Sequence, residues 1–340
     1  MSSTRAPLAR FESQSGARIY RIPIETFPGH INNVYLILDG HTSTLVDVGS
    51  GLPQSVEDLR GGVAAVATHF GERARLEAVQ HVVITHAHID HFGHVGWFQA
   101  HTDATIHVHE LDARVLQNFE ERIVLASKDL RVFLARSGLD REAREELEEM
   151  YRSSKSFFKS VRLDRKLRDG DRIANGYVVH HVPGHCPGQI CLQVDDVLFT
   201  ADHVLARTTP HQSPSVITSF CGLELYLQSL DRLRRLAGIR LALPGHEEEI
   251  RDLPKRIDAI VAHHRNRLDR VLELCAEPRT MTEISRGLFG DRDGYARLLA
   301  LEEAGAHVEY LFQRGDLGIA NLEEVAVLPD PVIAYRRRRV

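Results

Sequence analysis

Residues 82 to 91 constrain this chain most: the β-branched run Val82-Val83-Ile84-Thr85 leads straight into His86-Ala87-His88-Ile89-Asp90-His91. The run reads as a buried strand. Side chains two apart in extended backbone point to one side, whereas on a helix they diverge by about 200°. His86 and His88 can therefore share one metal ion. Asp90 and His91 follow as the chain turns, Gly93 gives the backbone latitude to leave the strand, and His94 lies beyond it. That cluster can serve a second ion a few Å from the first.

Three further candidates follow short apolar runs in the same way. Val178 to Val182 leads into Pro183-Gly184-His185-Cys186-Pro187-Gly188, Val197 to Thr200 into Ala201-Asp202-His203, and Leu241 to Leu243 into Pro244-Gly245-His246. Loops at strand ends, held by a rigid sheet, are where catalytic groups concentrate. Strands are expected at Ile19 to Pro23, Val34 to Leu38, Leu45 to Val48, Val82 to Thr85, Thr105 to His109, Tyr177 to Val182, Cys191 to Val194, Val197 to Thr200 and Leu241 to Leu243. Helical patterns fill Gln54 to Phe70, a polar stretch from Leu111 to Ser160, and Leu223 to Leu236. This is a mixed α/β pattern with hairpin-like early strands.

The ordered string THAHIDHFGH, PGHCPG, ADH and PGHE across residues 85 to 246 resembles the signature of the metallo-β-lactamase superfamily. The resemblance implies an αββα sandwich with a two-metal site at one sheet edge. Carried over by motif, His86, His88 and His185 would bind one ion, Asp90, His91 and His246 the other, and Asp202 would bridge them. Asp47, in Leu45-Val46-Asp47-Val48-Gly49, resembles the family's aspartate behind the metal loop, and it reads equally well as a hydrogen-bonding aspartate at a strand end. Cys186 and Gln189 stand where relatives often carry Thr and His, which leaves the core ligand untouched. A set of His and Asp without thiolate favours zinc and tolerates iron or manganese, so two divalent transition-metal ions are the expected cofactors. Such a pair can lower the pKa of a shared water and polarise a carbonyl or phosphoryl oxygen, giving a bridging hydroxide as nucleophile. Asp90 and Asp202 are the expected catalytic residues, Asp90 orienting the nucleophile and passing a proton to the leaving group.

Other histidines are read more plainly. His69, His81, His101, His107, His109, His263, His264 and His307 read as surface or core residues. His30 and His211 can line the cleft or be solvated loop residues. A zinc-protease reading of His246-Glu247-Glu248-Glu249-Ile250 fails, because Ile250 stands where the second histidine is needed.

After Pro254 the pattern changes. Lys255 to Ala276, Thr280 to Leu288 and Tyr295 to Ala304 read as helices, followed by a hairpin across Val308 to Ile319, which suggests a winged-helix module. Residues 1–252 are thus expected to form the hydrolase domain, with a helical insertion at about 111–165 as a cleft cap. Residues 253–340 form a second domain ending in the basic tail Arg336 to Arg339. The resemblance extends to a subgroup with such a module, including hydrolases of small esters and thioesters and a mitochondrial member that cleaves single-stranded RNA.

Charge weighs against nucleic acid. The chain of 340 residues carries 42 Lys and Arg against 47 Asp and Glu, a formal charge of −5. The C-terminal module carries 14 of each sign from Pro254 to Val340, and its expected recognition helix, Tyr295 to Ala304, offers only Arg297 beside Glu302 and Glu303. A duplex-binding face concentrates Lys and Arg. The module is expected instead to dock on the first domain or on a second copy. Hydrophobic residues at 43% exclude disorder, the four cysteines are too few for a disulfide framework, and no apolar run spans a bilayer. With no signal-like N-terminus, a cytoplasmic enzyme is expected. The bridging aspartate is typical, by resemblance, of thioesterase, lactonase and phosphodiesterase branches. Hydrolysis of an ester, thioester or lactone therefore leads; the alternatives are a metal-dependent ribonuclease and a regulatory nucleic-acid-binding protein.

Overall fold

A computed structural model describes residues 6–338. The chain divides into two compact units. One comprises residues up to 119, 158–210 and 229–257; the other comprises 120–157, 211–228 and 258 onward.

The first unit opens with an antiparallel meander, β1 (Ala9–Glu12), β2 (Arg18–Phe27), β3 (His30–Asp39) and β4 (Thr42–Val46). Helix α1 (Pro53–Phe70) follows, started by Pro53 in its first turn and ended by Gly71 in the left-handed conformation, φ 69°. β5 (His81–Ile84) then pairs parallel to β4. Short helices α2 (Ile89–Phe92) and α3 (Val95–His101) lead to β6 (Thr105–His109) and α4 (Glu110–Gln117). After α5 (Phe119–Arg136) and α6 (Arg141–Ser153), β7 (Arg165–Leu167) completes a seven-stranded sheet in sequence order, parallel from β4 onward. The second sheet runs β8 (Arg172–Ile173), β9 (Tyr177–His181), β10 (Ile190–Val194) and β11 (Val197–Ala201). After α7 (Leu223–Arg234), β12 (Leu241–Pro244) returns parallel to β11, in the order β12-β11-β10-β9-β8.

The two sheets bury their apolar faces against each other. Ile19, Tyr35, Ile37 and Val83 from one meet Val179, Leu192, Phe199 and Leu243 from the other, and the Tyr35 and Phe199 rings lie edge to face at 5.1 Å. The expected strands all form, while the short edge strands β1, β7 and β8 carried no alternation long enough to read.

The second unit contains α5 from Glu120, α6, and then α8 (Leu253–Leu274) from Asp258 onward, β13 (Arg279–Thr280), α9 (Met281–Phe289) and α10 (Gly294–Arg314). It ends with β14 (Leu317–Ile319), α11 (Leu322–Val327) and β15 (Ala334–Arg337), forming the antiparallel sheet β13-β15-β14. Thr280 and Glu283 make a reciprocal capping box at the start of α9. Two expectations change here. The hairpin across Val308 to Ile319 does not form, since Val308 is buried within α10 and β14 pairs with β15 instead. α10 runs through Gly305, where the Phe133 ring packs 3.0 Å from the position a Cβ would take. The compact units also depart from a boundary at 252/253. Residues 120–157, expected with the hydrolase domain, hydrogen bond to the C-terminal segment through Thr282 N to Ser137 O (2.8 Å) and Ile333 N to Arg136 O (3.0 Å). Of the tail, Arg336 and Arg337 belong to β15, and Arg339 lies outside the described residues. Among the described residues no helix is long and apolar enough to cross a membrane.

Candidate metal centre

Strands β5, β11 and β12 and the turn after β9 end side by side, and all seven candidate residues come together there, within the first unit. His86 Nε2 and His185 Nε2 each lie 3.0 Å from His88 Nδ1. Asp202 Oδ2 lies 3.1 Å from His246 Nε2 and 4.0 Å from His185 Nε2, while its Oδ1 is 3.5 Å from His91 Nε2. Asp90 Oδ2 lies 3.4 Å from His91 Nε2 and 3.7 Å from His246 Nε2. Asp202 thus stands between the two histidine groups.

The supports behind these side chains decide which nitrogen of each ring faces inward. Asp47 accepts Thr85 N–H at 2.8 Å, the Thr85 hydroxyl at 2.9 Å and His91 Nδ1–H at 2.8 Å. Because the Thr85 hydroxyl donates to Asp47, it accepts from His86 Nδ1 at 3.0 Å, which leaves His86 Nε2 bare. His246 Nδ1 donates to the Ile31 carbonyl at 2.7 Å, again leaving Nε2 toward the centre. His88 faces the centre with Nδ1, and its Nε2 meets Cys186 Sγ at 3.3 Å. A carboxylate or carbonyl behind each imidazole is how metal-binding histidines are oriented. Of the two readings left open for Asp47, its contacts to Thr85 and His91 support the one behind the metal loop. Asp47→Asn keeps the volume but sets an amide against donors; metal affinity should fall about tenfold in a chelator competition, with unchanged circular dichroism. Equal affinity would show that Asp47 only terminates its strand.

Three supporting residues escaped the motif reading. Asn32, buried on β3, donates to Asp90 Oδ2 at 3.0 Å. Asn33 donates to the carbonyls of Pro244 (3.1 Å) and Glu247 (2.8 Å), fixing the loop that carries His246. Asp112, fully buried on α4, accepts Ala87 N–H at 2.8 Å and Gly188 N–H at 2.7 Å, joining the loop of His86 and His88 to that of His185. A Cβ on Gly188 would meet Asp112 Cγ at 2.6 Å, so only glycine admits this approach. The readable signal was a carboxylate beside the apolar stripe of α4, next to Ala113 and in line with Leu116.

His30 reaches the centre, with Nε2 3.2 Å from Asp90 Oδ2 and half of the side chain exposed. His211 belongs to the second unit, where it pairs with Glu302 at 2.9 Å, so it is neither a solvated loop residue nor part of the seven-residue cluster.

The electrostatics divide the cluster. Burial, reinforced by His91 and His88, holds His86 well below its ordinary pKa, and burial with His185 does the same to His88. Around His91 burial opposes protonation, but Asp202, Asp90 and Asp47 outweigh it and raise the pKa well above normal. His246 is opposed by burial and raised to about 9 by Asp202 and Asp90. Asp202 Oδ1 is buried and receives no hydrogen bond. Bare imidazole nitrogens, two carboxylates and an undonated buried oxygen are the donor set a pair of divalent cations requires.

The family model of the metallo-β-lactamase superfamily matches residues 28–246, most of the chain and the whole of this centre. The probable metallo-hydrolase YqjP of Bacillus subtilis is 25% identical over 82% of this chain and 86% of its own. Acyl-coenzyme A thioesterase MBLAC2 of Gallus gallus is 27% identical, over 64% of this chain and 73% of its own. Among solved structures, a metallo-β-lactamase family protein from Thermus thermophilus superposes with a TM-score of 0.76 at 27% identity, covering 94% of this chain and 98% of that one. A β-lactamase domain protein from Burkholderia ambifaria gives 0.74 at 28%, covering 99% and 95%. With its order of motifs, its paired sheets and its matched relatives in agreement, the chain belongs to the metallo-β-lactamase superfamily and is a metallo-hydrolase.

Proposed function

We propose that this metallo-hydrolase cleaves acyl thioesters at a two-cation centre held by His86, His88 and His185 on one side, Asp90, His91 and His246 on the other, and Asp202 between them. The position of Asp202, within 4.0 Å of nitrogens from both groups, carries the two-cation part of this reading. When bound, a pair of divalent cations, zinc being favoured, supplies an activated water and polarises the scissile carbonyl. The chain's own residues do the positioning. Asp47, Thr85 and the Ile31 carbonyl fix the imidazoles, while Asn32 and His30 hold the Asp90 carboxylate. A thiol ionises near pH 8.5, so a thiolate leaves without a strong acid beside it. Asp90, with His30 at the exposed edge, suffices to receive and relay one proton.

The thioester assignment is supported by two relatives, the Gallus gallus acyl-coenzyme A thioesterase and an Aspergillus fumigatus atrochrysone carboxyl ACP thioesterase, the second at 24% identity over 78% of this chain. Both names describe acyl groups on phosphate-bearing carriers. The exposed basic residues Lys159, Arg162, Arg165, Lys166 and Arg168 suit such a carrier.

The order of α8, β13, α9, α10 and the β14–β15 pair supports a winged-helix reading of the C-terminal segment. Nucleic-acid binding gains no support from it, because α10 is buried continuously from Leu301 to Val308, where a groove-reading helix needs an open face.

The test is a screen of the metal-loaded protein against acyl-coenzyme A esters, a lactone, a penicillin and single-stranded RNA. Thioester kcat/KM should exceed that for every other substrate by tenfold or more, with lactam turnover weak or absent. RNA cleavage at equal efficiency, lost in Asp90→Ala, would transfer the assignment to a ribonuclease.

A further inference from the structure

We propose that the second unit binds a divalent transition-metal ion of its own, held by His264 of α8 and by Glu303 and His307 of α10. The three side chains are buried, and one ligand atom from each falls within 4.8 Å of the other two. Glu303 and His307 are four residues apart, so they share one face of their helix. The His307 ring is already fixed as a ligand ring would be. Its Nδ1–H donates to the Glu303 carbonyl at 2.7 Å, which leaves Nε2 bare and facing His264 Nδ1 at 3.1 Å. Two nitrogens on one tetrahedral zinc lie about 3.3 Å apart at the usual bond lengths. The histidines of the superfamily centre show nearly the same spacing, 3.0 Å.

The tautomers show why an ion fits. If His264 carries its proton on Nδ1 and donates to His307, its Nε2 is a buried acceptor that no group meets. If the proton is on Nε2 instead, two lone pairs face each other at 3.1 Å. A cation between the rings removes the second conflict.

Glu303 has other partners: Arg267 donates to one oxygen, the Gln212 N–H donates to the other at 2.7 Å, and His211 Nδ1 lies 3.5 Å away. A carboxylate offers about four lone-pair sites, so coordination does not require these partners to leave. Adjacent Glu302 adds a second negative charge, which offsets Arg267. A pair of histidines alone would not suffice. His81 and His107 also meet at 3.1 Å, but they have no carboxylate in ligand range among the described residues. Two imidazoles and one carboxylate in a closed interior suit zinc, cobalt or nickel, in a structural role.

The experiment uses Co²⁺ on full-length protein in which His86→Ala, Asp202→Ala and His246→Ala empty the first centre. About one equivalent should remain by elemental analysis, with visible absorption bands, and His307→Gln should remove it. In the otherwise unchanged chain, His307→Gln should lower total metal by one equivalent and leave thioester turnover within twofold. Retention of no Co²⁺ by the triple variant, or of Co²⁺ that persists after His307→Gln, would overturn the proposal. Neither outcome touches the thioesterase assignment, which rests on turnover by the first centre.

Discussion

Asp202→Ala should abolish thioester hydrolysis, lowering kcat/KM by about a thousandfold or more, while circular dichroism and the melting profile stay close to those of the unchanged chain. The size follows from the several kcal/mol of transition-state stabilisation that a metal pair contributes. The fold should survive because Asp202 stands just past the end of β11, outside the strand pairing. Metal content should fall toward one ion in the first centre, since the remaining histidines still form a three-nitrogen group in His86, His88 and His185. Turnover within tenfold of the unchanged chain would remove Asp202 from its place between two cations.

Asp112→Ala should have the next largest effect, although Asp112 points at backbone and not at the centre. Both N–H groups that it accepts, from Ala87 and Gly188, would lose a charged partner inside the protein. Hydrogen bonds to charged groups are worth about 1.5–3 kcal/mol each. Stability should therefore fall by about 3–6 kcal/mol. The loop of His86 and His88 would no longer be tied to that of His185, so metal affinity should drop about a hundredfold, the upper range for a supporting residue. Equilibrium denaturation and chelator competition measure the two separately. A stability loss with unchanged metal affinity would make Asp112 a packing residue only.

The seven residues of the centre were legible because they follow short apolar runs, and period-two geometry already puts His86 and His88 on one side. The residues behind them were legible only in part. Asp47 stood at a strand end with an ambiguous role until its carboxylate was placed against Thr85 and His91. Asn32 and Asp112 contact residues 58 and 25 positions away, through partners that no local pattern specifies. The C-terminal reading placed a hairpin where α10 continues, for a similar reason. Gly305 lies inside that helix, and a ring distant in sequence, Phe133, occupies the space a side chain there would need.

The composition of the second unit from three separated stretches of chain has a consequence for biosynthesis. Residues 120–157 leave the ribosome before α9 and α10 exist, so Phe133, which packs on Gly305 of α10, and Ser137, whose carbonyl accepts from Thr282 of α9, must wait for partners. Their contacts close long loops, which makes their formation slow compared with that of local helices. During that interval the nascent chain presents apolar surface of the kind that chaperones bind. A chain ending before α9 would keep that surface permanently, so the C-terminal residues act as the last structural component of the second unit and not as a detachable appendage.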